Sequence, residues 1–143
     1  MTVLVDTGVL YADHDTDASR HDAASEALEA VYDGEFGHPY VSDYVFDESI
    51  TLTRTRAASH VAAKQLSDRL RGHDPYPHVY ELLHVSTAVF NDAISVFERY
   101  DDQALSFTDA TSIALIDRHD IDGILSFDDD FDGIVRRIAP ENV

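Results

Sequence analysis

Two short apolar runs, each followed at once by aspartate, restrict this chain more than any other feature. Thr2 to Val5 is β-branched and apolar and is closed by Asp6-Thr7-Gly8, while Gly123 to Phe127 runs into Asp128-Asp129-Asp130. Neither run alternates apolar with polar residues. A strand of that kind is buried on both faces, as in a parallel sheet covered by helices on either side. Further short strands are predicted at Pro39 to Val41, His78 to His84 and Ile134 to Ile138. Between them lie stretches with helical spacing. Ala18 to Tyr32 carries Ala23, Ala27, Leu28, Val31 and Tyr32 before Asp33-Gly34 and Gly37 break the pattern. Ser42 can cap a helix to about Ala57, and a second helix covers Ser59 to Leu70. Ser86 can cap a helix with Val89, Phe90, Ala93, Ile94 and Phe97 inward, and Thr108 can cap Asp109 to Arg118. Strands alternating with helices predict a three-layer α/β domain, a central parallel sheet flanked by helices, spanning residues 1–143 as one unit.

Composition narrows the setting. The 143 residues contain no cysteine, which excludes disulfides and thiolate metal sites, and no apolar run approaches the roughly 20 residues that span a bilayer. Met1 leads straight into the first apolar run without a basic segment or cleavage site, so a cytoplasmic location is expected. Net charge is -18, and Lys64 is the single lysine among ten basic residues. Such a field repels nucleic acid at ordinary salt. At molar salt the Debye length shrinks to about 3 Å, and an acidic, lysine-poor surface is what the salt-loaded cytoplasm of a halophile favours.

The acids themselves suggest chemistry. In an open parallel sheet, ligands bind in the crevice beyond the carboxyl ends of the strands, where both Asp6 and Asp128 are placed by the strand pattern. Asp109 falls in a first helical turn; there a carboxylate is equally explained by the helix dipole. Glu48 is more informative, lying three residues after Val45 and four before Leu52 on their shared apolar face, whereas Asp47 points about 100° away. An inward acid needs an arginine or a cation as partner. Four carboxylates in one crevice repel one another by several kcal/mol per close pair at an effective dielectric near 20, so the set demands a metal. Oxygen-only ligands select Mg²⁺ or Mn²⁺, which bind with substrate phosphates, and that is the composition of a phosphodiesterase site. The eight histidines show no H-E-x-x-H spacing.

Four segments, Leu4-Val5-Asp6-Thr7-Gly8, Val45-Phe46-Asp47-Glu48, Leu105-Ser106-Phe107-Thr108-Asp109-Ala110 and Leu125-Ser126-Phe127-Asp128-Asp129-Asp130-Phe131, resemble in order and spacing the acidic motifs of PIN-domain nucleases, particularly VapC-type toxins. The resemblance covers nearly the whole chain. It implies a PIN fold, Mg²⁺ or Mn²⁺ dependence, endonucleolytic cleavage of RNA leaving a 5′-phosphate, a homodimer and a cognate antitoxin. It also implies that Asp6, Glu48, Asp109 and Asp128 are catalytic metal ligands, with Asp130 an auxiliary acid and Thr7 and Ser126 at positions where relatives often carry a hydroxyl. A local turn or cap hydrogen bond explains either hydroxyl as well. The extreme acidity departs from relatives that bind RNA through basic surface.

Arg54, Arg56, Lys64, Arg69 and Arg71 partly offset it, half of the basic residues falling in a segment whose only acid is Asp68. They suit RNA phosphates, an acidic antitoxin tail or simply a solvated helix face. The leading expectation is a Mg²⁺-dependent endoribonuclease of a type II toxin-antitoxin pair. The alternatives are a housekeeping RNA-processing or decay nuclease and a non-catalytic scaffold. A haloacid-type phosphatase would need a second Asp two residues after the first, where Gly8 stands.

Overall fold

The computed structural model describes residues 1–143. Five strands, β1 (Thr2–Val5), β2 (His38–Ser42), β3 (Glu81–Leu83), β4 (Gly123–Leu125) and β5 (Arg137–Ile138), form one sheet in the order β3-β2-β1-β4-β5, every pairing parallel. The six helices are α1 (Thr7–His14), α2 (His21–Tyr32), α3 (Asp43–Arg56), α4 (His60–Arg71), α5 (Thr87–Arg99) and α6 (Phe107–Arg118). This is the three-layer α/β arrangement expected from the strand pattern.

The central strand shows why β1 and β4 lack alternation. Val3 and Val5 enter a core built with Val9 and Leu10 of α1, Ala27 and Leu28 of α2, and Leu66 and Leu70 of α4. Leu4 enters a second core with Ile113 and Ile116 of α6, Ile124 of β4 and Phe131. Leu4, Val3, Val5 and Ile124 are wholly buried, each removing apolar surface worth about 25 cal/mol per Å². Register aligns Leu4 with Ile124 and Val5 with Leu125. The chain steps from β1 outward to β2 and β3, then crosses back to β4 and β5. Strand order therefore reverses between β1 and β4, which opens a crevice at their carboxyl ends.

Four details differ from the sequence reading. Asp6-Thr7-Gly8 ends the strand but also starts α1, with Asp6 as the N-cap. Thr7 to Ala12 is buried except for Gly8, so α1 has no polar face and presents no helical periodicity. The cap of α6 is Ser106, not Thr108: its side chain accepts from Asp109 N, and Asp109 answers by accepting from Ser106 N, a reciprocal capping box. The third and fifth strands contract to Glu81–Leu83 and Arg137–Ile138, because only those residues pair with β2 and β4. On α5, Val89 and Ala93 face inward as expected, but Phe90, Ile94 and Phe97 are exposed.

Candidate active site

The crevice between β1 and β4 is a cleft of about 680 Å³ whose walls include Asp6, Glu48, Asp109 and Asp128. Each acid is brought there by a different element. Asp6 directly follows β1, its backbone N–H donating to Leu125 O at 3.0 Å, so the sheet ladder itself places it. Its Oδ1 accepts from Thr7 N at 2.9 Å and its Oδ2 from Ser126 Oγ at 2.6 Å. Ser126, fully buried after β4, accepts in turn from Asp128 N at 3.0 Å. One hydroxyl thus joins two of the acids. Asp128 caps a short 3₁₀ turn (Asp129–Phe131), accepting from Asp130 N at 2.9 Å.

Glu48 comes from α3, which Ser42 starts by accepting from Val45 N at 3.0 Å. It lies half-buried on the stripe Glu48, Leu52 and Arg56, all three of which line the cleft, while Asp47 faces solvent. Asp109 sits in the first turn of α6, buried, with the two capping-box bonds at 3.0 Å each. Helix capping and a place in the cleft are here two uses of one side chain.

The electrostatics record this crowding. Asp6 is pushed up to about 6 from an ordinary 3.8, first by burial and further by the charges of Asp109 and Glu48, against the lowering pull of the Ser126 bond. Asp109 is also raised, by burial and by the neighbouring Asp128 and Glu48 carboxylates. Asp130 is raised mainly by Asp128.

An oxygen-ligand cation suits this donor set. Every acid in the cleft offers carboxylate oxygen alone, and Thr7 Oγ1, buried in its wall, has no hydrogen-bond partner. The oxygens of Asp128, Asp129 and Asp130 lie within 4.8 Å of one another. Asp129 lines the cleft and Asp130 stands beside Asp128 just outside the lining. The remaining acids are more widely spread, leaving the room for waters that Mg²⁺ retains.

Two further cleft residues, Arg20 and Arg56, are not legible as a pair in the sequence. Nothing in the sequence pattern singles out Arg20, and Arg56 belongs there to a basic segment with Arg54, Lys64, Arg69 and Arg71. That group disperses in the fold: Lys64 and Arg71 pair with Asp68, and Arg69 with Asp13. Of the five, Arg56 alone lines the cleft.

The family model for the PIN domain matches residues 3–136. The chain belongs to the PIN-domain family. Among curated proteins it is similar to ribonuclease VapC26 of Mycobacterium tuberculosis, 28% identical over 126 residues, 88% of this chain and 86% of that protein. Among solved structures it resembles VapC20 of Mycobacterium tuberculosis, described as a sarcin-ricin loop cleaving toxin, at 27% identity and TM-score 0.75 over 90% of this chain and 92% of the other. The PIN fold is shared with FitAcB of Neisseria gonorrhoeae, at 15% identity and TM-score 0.68 over 99% of each chain. A Klebsiella pneumoniae toxin-antitoxin complex, 18% identical, has TM-score 0.66 over 96% of this chain and 97% of that one. This PIN protein is therefore a nuclease of the VapC type.

Proposed function

We propose that this PIN nuclease is a Mg²⁺-dependent endoribonuclease and the toxin of a type II toxin-antitoxin pair, with Asp6, Glu48, Asp109 and Asp128 as metal ligands and Asp130 as an auxiliary acid. The observation that carries the reading is the convergence of four carboxylates, from four separate elements, on one cleft where burial and neighbouring acids raise the pKa of both Asp6 and Asp109. Bound Mg²⁺, or Mn²⁺, would neutralise the carboxylates, polarise the phosphodiester and activate the attacking water. The protein's part is placement. The Asp6 carboxylate is fixed by Thr7 N and Ser126 Oγ, and that of Asp128 by Asp130 N, so neither turns freely. Asp109 is held by its capping box, and Glu48 joins the cleft from α3. Oxygens fixed before substrate arrives need no reorganisation during in-line displacement at phosphorus.

The VapC relatives and the fold shared with toxin-antitoxin complexes support an antitoxin partner. A homodimer is supported by α5, whose Phe90, Ile94 and Phe97 are 40%, 36% and 47% exposed at i, i+4 and i+7. Phe90 meets Phe107 in a tilted pair and Phe97 meets it edge-on, with ring centres 5.6 and 6.0 Å apart, and Phe107 opens α6 two residues before Asp109. This apolar stripe suits a second copy of the chain. No helix is long and apolar enough to cross a membrane, and we place the protein in the cytoplasm of a salt-loaded cell.

The test is RNA cleavage in molar KCl by antitoxin-free protein with Mg²⁺, Mn²⁺ or EDTA, using total RNA and the sarcin-ricin loop that VapC20 cleaves. Cleavage that needs metal and disappears in folded Asp6→Asn and Asp109→Asn supports the reading. Folded, metal-loaded protein that cuts no RNA overturns it.

A further inference from the structure

Basic side chains are scarce in this chain, and half are consumed by carboxylates. Lys64, Arg69, Arg71, Arg118 and Arg137 each lie within 4.0 Å of a carboxylate oxygen. Against 28 acids, any arginine that stays unpaired stands out. Arg20 and Arg56 do so while lining the carboxylate cleft. Both are exposed, and both rest on aromatic rings: the Arg20 guanidinium lies 4.8 Å from the Phe127 ring centre and that of Arg56 lies 5.5 Å from the Tyr11 ring centre. A ring holds the guanidinium in place while leaving N–H groups free for a phosphate.

We infer that Arg20 and Arg56 are a two-point clamp for the RNA backbone, each holding a phosphate beside the carboxylate cluster. Both arginines stand over α1: Phe127, under Arg20, packs beside Gly8, one turn before Tyr11, which carries Arg56. Arg20 rests on Phe127, the residue before Asp128, on the wall built after β4. Arg56 lies eight residues after Glu48 on the cleft-lining stripe of α3, about 12 Å along the helix axis, so its guanidinium serves a phosphate other than the one at the acids. The arginines share the cleft with the acids and touch phosphates next to the one being cut, so they position substrate and take no part in bond breaking. They also counter the repulsion that a cleft full of carboxylates exerts on RNA. This clamp rests on the ribonuclease reading for its substrate, and it demands an RNA that continues beyond the phosphate at the cut.

Its test reads binding separately from cleavage. Fluorescence anisotropy would follow a labelled uridine 12-mer RNA across a KCl series, with Ca²⁺ in place of Mg²⁺ to neutralise the acids while slowing turnover. On single-stranded nucleic acid, each phosphate that a protein cation neutralises adds about 0.7 to the slope of log K against log salt. Arg20→Gln and Arg56→Gln are each expected to lower the slope by that amount, and the double variant by twice as much. Lysine at either position should restore the slope, and Arg54→Gln, outside the cleft lining, should leave it unchanged. In Mn²⁺ the glutamine variants should raise KM more than they reduce kcat. An unchanged slope in folded variants overturns the clamp even where the wild type cleaves RNA. So does a loss confined to binding of an acidic poly-glutamate peptide, which would assign the arginines to a protein partner. A wild type that binds RNA with the expected slopes yet never cleaves it would sink the nuclease reading and leave the clamp standing.

Discussion

Ser126 Oγ donates to Asp6 Oδ2 at 2.6 Å across 120 positions of sequence while accepting from Asp128 N, so a single buried hydroxyl orients the Asp6 carboxylate and ties it to the backbone of Asp128, two acids that follow adjacent strands. Ser126→Ala removes that donor from Asp6. Groups that orient a ligand in this way typically contribute about 10- to 100-fold to metal affinity, and calorimetric Mn²⁺ titration in molar KCl should show a loss of that size. Unchanged affinity would mean that the sheet ladder at Asp6 N suffices to place the acid.

Asp6 gives metal-free protein a pH dependence with a defined sign. Its pKa is about 6 when folded against 3.8 otherwise, so between those values the folded state holds a proton that the unfolded chain has lost. The stability this contributes is complete below about pH 4 and is lost as pH rises through 6, by about 3 kcal/mol at roughly 1.36 kcal/mol per unit. Asp109 shifts in the same direction and adds to the loss. Urea denaturation in EDTA should therefore show stability falling from pH 4 to pH 7, and saturating Mg²⁺ should flatten the curve.

The capping box separates two duties of Asp109. Ser106→Ala removes an N-cap worth about 1 kcal/mol of stability but no cleft carboxylate, so metal-dependent RNA cleavage should survive at a temperature where the variant is folded. Asp109→Asn retains a polar cap partner while removing a cleft charge, and should abolish cleavage. Equal loss in both variants would reduce Asp109 to a cap.

The α5 stripe predicts association. Phe90→Ser combined with Phe97→Ser should convert a dimer to a monomer in sedimentation equilibrium at molar KCl while leaving the circular dichroism spectrum intact, since both side chains are exposed within one protomer. A wild type that sediments as a monomer would rule the stripe out as a dimer interface.

The elements most legible in the sequence are those whose burial is one-dimensional. β1 and β4 lie between two cores, so unbroken apolar runs report them. Glu48 can be placed because Val45 and Leu52 share its face, and α3 indeed turns it into the cleft while Asp47 faces out. What escapes is whatever depends on context. α1 is buried nearly all round and carries Gly8 in its first turn, so neither periodicity nor composition announces it. The Ser106 cap is hidden by Thr108, although the Ser106-x-x-Asp109 spacing is a capping box with Asp in place of Glu. Arg20 lies in the turn before α2, far in sequence from Phe127, and only the fold brings the two together. The outward turn of Phe90, Ile94 and Phe97 cannot be read from an apolar pattern, which gives the stripe but not what covers it.

The crossover from β3 back to β4 also governs when the enzyme can exist. A nascent chain that ends before Gly123 already carries Asp6, Glu48 and Asp109 but has neither Ser126 nor Asp128, and β1 lacks a neighbour on one side. The cleft is thus closed by a segment that leaves the ribosome after every other element it needs. A cell synthesising such a protein meets no complete carboxylate cleft until β4 and the turn behind it have been translated, and premature termination upstream of β4 yields a fragment with at most three of the four acids.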